Sequence, residues 1–146
     1  MRTSCRFAMA VHVLAVLAYK QGDRVTSSYL AASVNTNPVI IRRLLLTLQK
    51  AKLVDTSKGA GSGSRLERSP TRISLAEVYN AVEEEDAFTM PRRAPNKGCP
   101  VGQCIQDELE RVFSSAENAM IEQLGRKTVA DIVNSVRARC EKQDAA

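Results

Sequence analysis

Apolar positions recur along this chain in runs of helical period, and the polar breaks between the runs carry residues that start and stop helices. The first run, from about Ser4 to Lys20, reads as a helix ended by the glycine signal Gln21-Gly22-Asp23. Thr26 can cap a short second helix, and Val34 to Asn37 form a four-residue turn because Asn35, Thr36 and Asn37 favour turn and capping conformations. A third helix is expected to start at Asn37 or Pro38, proline being suited to the first helical position. Within it Ile41, Leu44, Leu45 and Leu48 fall at i, i+3, i+4 and i+7, one continuous face that must be core.

Beyond that helix, Leu53 to Ser57 and Ser64 to Arg68 read as two strands around the tip Lys58-Gly59-Ala60-Gly61-Ser62-Gly63, with Val25 available to pair as a short extra strand. Ser74-Leu75-Ala76-Glu77 is a capping box that opens a short helix through Val82. The acidic run Glu83 to Asp86 and the stretch from Pro91 to Pro100 make an irregular linker, of a length that usually means function or mobility. A long helix follows from about Val101 to Leu124, where Ile105, Leu109, Val112, Phe113, Ala116, Met120 and Leu124 form a seam closed by Gly125. Thr128 and Asp131 then open a last helix with Val129, Ile132, Val133 and Val136 on one side.

This order predicts a mainly α fold with a small β wing, a winged helix-turn-helix plus a long C-terminal dimerisation helix. Residues 1–82 are the winged unit, 83–100 the linker and a sensor loop, and 101–146 the dimerisation helices. No second long helix within the chain covers the seam, so it is expected to pack against its copy in a second subunit. The alternative is that both C-terminal helices fold back onto their own N-terminal domain.

The winged plan inserts the second helix of its helix-turn-helix, here the third helix of the chain, into a major groove. The face of that helix opposite the core carries Val39, Ile40, Arg43 and Thr47, with Arg42 at its margin. Arginine can be bidentate to guanine and a helix N-terminus attracts phosphate, so an exposed pair there suits DNA; a plain solvated basic face would look the same. Charge favours DNA. Residues 1–72 hold 12 Lys and Arg against 3 Asp and Glu and residues 73–146 hold 9 against 13, so the halves carry +9 and −4 within the total of +5. A membrane surface fits less well, because the cations lie among turns and wing signals instead of along one amphipathic helix. Lys58 and Arg65 on the wing could reach a phosphate or a minor groove, and the amides of Ser27 and Ser28 a further phosphate.

Other classes are weaker. The glycine-rich tip lacks the phosphate-binding loop pattern and no βαβ unit follows it. No stretch approaches the roughly 20 apolar residues of a membrane span, and the run Phe7 to Ala18 stops without a small-residue cleavage site, which suggests a cytoplasmic protein. Cys5, Cys99, Cys104 and Cys140 are too scattered for a disulfide framework, and no Cys-x-x-Cys motif in a βαβ context supports a thiol enzyme. Aromatic residues make up 4% of the chain and tryptophan is absent, which favours duplex DNA over stacked single strands.

The segment Asn35-Thr36-Asn37-Pro38-Val39-Ile40-Ile41-Arg42-Arg43-Leu44-Leu45, the glycine-rich wing, and then Asn96-Lys97-Gly98-Cys99-Pro100-Val101-Gly102 resemble the Rrf-two family of bacterial transcription regulators. The resemblance covers nearly the whole chain and is greatest to the branch with a Cys-Pro-Val-Gly segment before the long helix. It implies a homodimer that binds palindromic operators in double-stranded DNA, commonly as a repressor, and no enzymatic activity. It carries DNA contact onto Asn35, Thr36, Asn37, Pro38, Val39, Arg42 and Arg43, onto Ser28 and Tyr29, and onto the wing's Arg65. The wing departs from the family's paired glycines, with Ser62 between Gly61 and Gly63.

Cluster-binding relatives present three cysteines in the linker, whereas here only Cys99 and Cys104 stand there. His12 lies where a ligand from helix one of a partner subunit could sit, although a histidine on an apolar helix is more often core. The expectation is therefore no cofactor and no metal, with an iron–sulfur cluster as the alternative. Cys99 and Cys104 have a second use open to them. Beside Lys97, with Cys104 in the first turn of a helix, either thiol could be acidic and serve as a redox switch; otherwise both are tolerated free thiols. A further alternative is a regulator controlled by an enzyme docked on the acidic C-terminal half.

Overall fold

The computed structural model describes residues 4–145. Along them come α1 (Arg6–Tyr19), α2 (Ser27–Val34), α3 (Pro38–Lys50), β1 (Val54–Ser57), β2 (Gly63–Leu66), a 3-10 turn at Pro70–Arg72, α4 (Leu75–Val82), α5 (Pro100–Gly125) and α6 (Val129–Asp144). This is the expected mainly helical chain with a small wing. Local chemistry sets most of the boundaries. Thr26 Oγ1 accepts the Tyr29 amide at 3.2 Å to start α2, and Asn35 ends it in the left-handed region at φ 65°. Asn37 Oδ1 then accepts the Val39 amide at 2.8 Å, with Pro38 at the first position of α3.

β1 and β2 pair antiparallel from Val54↔Leu66 to Ser57↔Gly63, and Val25 bridges to Ser64 as the expected third piece. Gly63 is obligatory there. Its φ is +138°, and a Cβ would come 2.8 Å from the Val25 carbonyl oxygen.

The core gathers around α1, whose Ala10, Val13, Leu14 and Leu17 are buried against Leu30 and Ala31 of α2, the Ile41-Leu44-Leu45-Leu48 face of α3, and Val78 and Val82 of α4. α6 joins this core. Val129 and Val133 are buried in it, the Val129 amide donates to Ile73 O at 2.9 Å, and α6 lies against α1. So the last helix does fold back on its own N-terminal unit, whereas α5 lies against α4 and is otherwise left open. None of the 26 residues of α5 is buried.

Two capping expectations part here. Thr128 and Asp131 form a complete reciprocal box at α6, whereas at α4 Ser74 Oγ accepts the Glu77 amide but the Glu77 carboxylate turns to Arg68 at 3.1 Å. Among the described residues no helix is long and apolar enough to cross a membrane.

Candidate nucleic-acid interface

The buried face of α3 fixes what the opposite face presents. At about 100° per residue, the positions diametrically across from Ile41, Leu44, Leu45 and Leu48 are Val39, Arg43, Leu46 and Lys50, with Arg42 to one side and Ile40 and Thr47 to the other. Val39, Ile40, Arg42, Arg43, Leu46 and Lys50 are all exposed. Neither Arg42 nor Arg43 pairs with a carboxylate among the described residues. Thr47 is the exception on this face: its hydroxyl donates back to the Arg43 carbonyl at 3.3 Å. Leu46, 59% exposed at the centre of the ridge, and Lys50 were not singled out from the sequence, although the same helical arithmetic places them. Exposed aliphatic groups beside arginines suit a groove floor, where thymine presents a methyl and guanine two acceptors.

The turn in front of the ridge holds Asn35, Thr36 and Asn37, whose backbone is closed by the Thr36 amide donating to Ala31 O at 2.9 Å. Ser28 and Tyr29 are exposed at the start of α2, next to Thr26, and the first amides of that helix have no partner within it. Lys58 stands exposed at the wing tip, beside the turn closed by the Ser62 amide on Gly59 O at 2.9 Å; the inserted Ser62 is thus part of the turn.

Arg65 is less free than its sequence position suggests. Its Nε lies 3.5 Å from Asp55 Oδ2, and the same oxygen takes Arg24 Nη2 at 2.8 Å. Arg24 also donates to Gly63 O at 3.1 Å, so one carboxylate and one guanidinium brace the wing against the segment before α2. Nothing local in the sequence marks Asp55 as the hub.

At the other end of the molecule Cys99, one residue ahead of Pro100, is the N-cap of α5. The Gly102 and Val101 amides lower its thiol pKa, the Gly102 contribution being the larger, although no capping bond of ordinary geometry forms. Gly102 is required by this turn, because a Cβ would collide with the Asn96 carbonyl. Cys104 lies past the first turn of α5, not within it. The two are also poorly placed for a mutual disulfide: five residues of helix rise about 7.5 Å, while bridged Cα atoms stand roughly 4.4 to 6.8 Å apart.

His12 is exposed on α1, and its Nε2 is 2.9 Å from Ser33 Oγ on α2, so it is not a core residue. The donor set does not fit an iron–sulfur cluster within one chain. Such a cluster takes about four ligands, and no group of three or more His, Cys, Asp and Glu among the described residues converges on one point.

The sequence model of the Rrf2 family, described as an iron-dependent transcriptional regulator, matches residues 3–135. The chain is 38% identical over 129 residues to YwnA of Bacillus subtilis, named as an HTH-type transcriptional regulator, covering 88% of this chain and 95% of that protein. It is 26% identical to the HTH-type transcriptional regulator IscR of Cereibacter sphaeroides, over 94% of this chain and 89% of that one. Among solved structures, that of a protein named as DNA-binding is 37% identical and superposes with a TM-score of 0.70, covering 87% of this chain and 97% of its own.

Proposed function

Because the chain belongs to the Rrf2 family of DNA-binding transcriptional regulators, we propose that it works as a homodimeric repressor on palindromic operators, two copies of α3 entering major grooves about one helical turn, ~34 Å, apart. It is not an enzyme. The observation that carries the proposal is the ridge of α3: two arginines without carboxylate partners among the described residues, flanked by exposed Val39, Ile40 and Leu46, on a helix capped by Asn37. Arg43, at the centre, is assigned to a base edge and Arg42, at the margin, to a phosphate. Asn35, Thr36, Asn37 and Pro38 set the approach, Ser28 and Tyr29 meet the backbone of the duplex, and Lys58 and Arg65 follow it from the wing.

In this reading residues 1–82 with α6 form the DNA-binding body, 83–100 the linker, and α5 the pairing helix. Support for pairing is the seam itself, where Val112 is 52% exposed although the helix is amphipathic. The protein's place of work is the cytoplasm, where the operator is.

A second reading concerns the signal. The lowered pKa of Cys99 and its exposed position at the tip of α5 favour a redox response through that thiol, by a mixed adduct or a bridge to another chain more readily than by a bond to Cys104. An iron–sulfur cluster or a docked enzyme has no comparable support.

Footprinting on the DNA upstream of the protein's own gene, repeated over a salt series, tests the main proposal. A twofold-symmetric protected site whose affinity falls steeply with salt is expected. Protein that stays monomeric, or shows no salt-dependent affinity for that duplex, overturns it.

A further inference from the structure

We propose that the cleft between α1, α2 and α6 is a binding site for a small amphipathic anion, an aromatic or short aliphatic carboxylate. The cleft has a volume of about 470 Å³, within the ~300 to 1,000 Å³ of small-molecule sites. Its walls are aliphatic, with Val11, Ala15 and Val16 from α1 facing Ile132, Val133 and Val136 from α6. Its polar groups among the described residues are few and none is a carboxylate. His12 and Ser33 meet at 2.9 Å across the α1–α2 gap, and Lys20 Nζ sits 4.7 Å above the Tyr29 ring. Beside Tyr19, which also lines the cleft, the Arg137 guanidinium lies 5.0 Å over that ring, and its Nε is buried without an acceptor among the described residues.

Among the described residues no Asp or Glu lines the cleft. A cationic ligand would therefore meet Lys20, with Arg137 behind Tyr19, without a counter-charge, and a polyphosphate would have to bury charge against aliphatic walls. A single carboxylate on an apolar body satisfies both halves: the body covers the valines while the head meets Lys20 and the His12–Ser33 pair.

The site also has a route to DNA, and this consequence alone rests on the proposed function. Tyr29 and Ser33 belong to α2, the first helix of the helix-turn-helix, and Val133 and Val136 to α6. A ligand wedged between them biases α2 relative to the body, and by linkage DNA must change the ligand's affinity by the same factor.

Salicylate and decanoate are the probes, titrated into the full chain and followed through methyl NMR signals. Saturable shifts at Val11, Val16, Ile132 and Val133 are expected for at least one of them, with uncharged salicylamide about tenfold weaker than salicylate. Val136→Trp, at an exposed position of the wall, should fill the cleft, and Lys20→Glu should reverse its charge; each is expected to weaken binding about tenfold or more with unchanged circular dichroism. Shifts centred on Val101 and Val112 of α5, equal binding of salicylamide, or affinity untouched by both variants would overturn the site. So would silence of the cleft methyls towards both anions, the result if a second copy of the chain covers them. Loss of operator binding with anion binding intact would strike the regulatory reading and leave the site standing.

Discussion

Replacing Asp55 by Asn should loosen the wing and at the same time tighten non-specific DNA binding. Its Oδ2 lies 2.8 Å from Arg24 and 3.5 Å from Arg65, so a single carboxylate serves two guanidiniums. A hydrogen bond to a charged group is worth about 1.5 to 3 kcal/mol when buried and an exposed ion pair about 0 to 1. The Arg24 side chain is 25% exposed and that of Asp55 42%, so solvent screens the pair in part and about 1 kcal/mol is the expected loss. For a chain of this size that corresponds to ~2 to 4 °C in Tm. Urea unfolding of Asp55→Asn, Arg24→Met and the double variant isolates the coupling. A value under about 0.3 kcal/mol would mean that the brace is inert and the reasoning wrong. In the same variant Arg65 loses its competing anion. Each additional phosphate that it neutralises should steepen the salt dependence of DNA affinity by about 0.9 in log–log slope, and a shallower slope would contradict the assignment of Arg65 to the duplex.

Arg43→Ala should cost about 1 to 3 kcal/mol for each guanine no longer read and relax specificity at one base pair of each half-site; competition among single-base operator variants measures this, and an unchanged profile removes Arg43 from the base-reading role. Gly63→Ala, with a Cβ 2.8 Å from the Val25 carbonyl oxygen and a φ of +138°, should destabilise by about 1 to 3 kcal/mol, and thermal melting at wild-type temperature would show that the wing can shift freely. Val112→Asp places a charge on the exposed seam and is expected to give a folded monomer by light scattering; a dimer of undiminished affinity would place the pairing surface elsewhere. Asp131 has a pKa lowered by its bonds from the Thr128 amide and hydroxyl. Its contribution is therefore full above the unfolded carboxylate pKa and disappears as pH falls through the folded one, so Asp131→Asn should lower Tm at neutral pH and flatten this part of the acid dependence; superimposable pH curves would rule that out.

What is legible in the sequence is what neighbours along the chain decide. Asn35, Asn37 and Pro38 cap and turn within a few residues of themselves, and the 41-44-45-48 spacing fixes the buried face of α3, so both can be read directly. Periodicity alone places the start of α5 one residue late, at Val101: proline suits a first helical position at Pro100 as it does at Pro38, and with the true start Cys99 becomes the cap and Cys104 falls beyond the first turn. Contacts between distant positions are invisible. Asp55 joins residues 31 and 10 positions away, and neither spacing has a sequence signal. His12 interrupts an apolar run that reads as core all round, yet α1 leaves that side open to α2, where Ser33 supplies the partner. The apolar stripe of α6 is evident, but whether it faces its own domain or another chain is a tertiary choice that no stripe encodes.

The cover of α5 is uneven along its length, and the thiol of Cys99 stands at its less covered end. Its C-terminal half rests on α4. A Cβ at Gly125 would lie 3.8 Å from that of Ala76, and after burial itself the carboxylate of Glu117 is the next cause raising the Tyr79 pKa. At its middle Phe88 of the linker is stacked on Phe113 at 5.0 Å, and its N-terminal end leaves Val101 64% exposed. A helix of 26 residues is about 39 Å long, comparable with the ~34 Å between successive major-groove entries on one face of a duplex. In the proposed dimer α5 is then a lever held at the end that carries the DNA-binding body and unsupported at the end capped by Cys99. In the proposed redox response an adduct on Cys99 would crowd the turn that caps α5, where even a Cβ at Gly102 would collide with the Asn96 carbonyl. Because the supported end cannot give without disturbing α4, a displacement of the free end would, in the proposed dimer, be passed to the partner chain and so to the spacing of the two copies of α3.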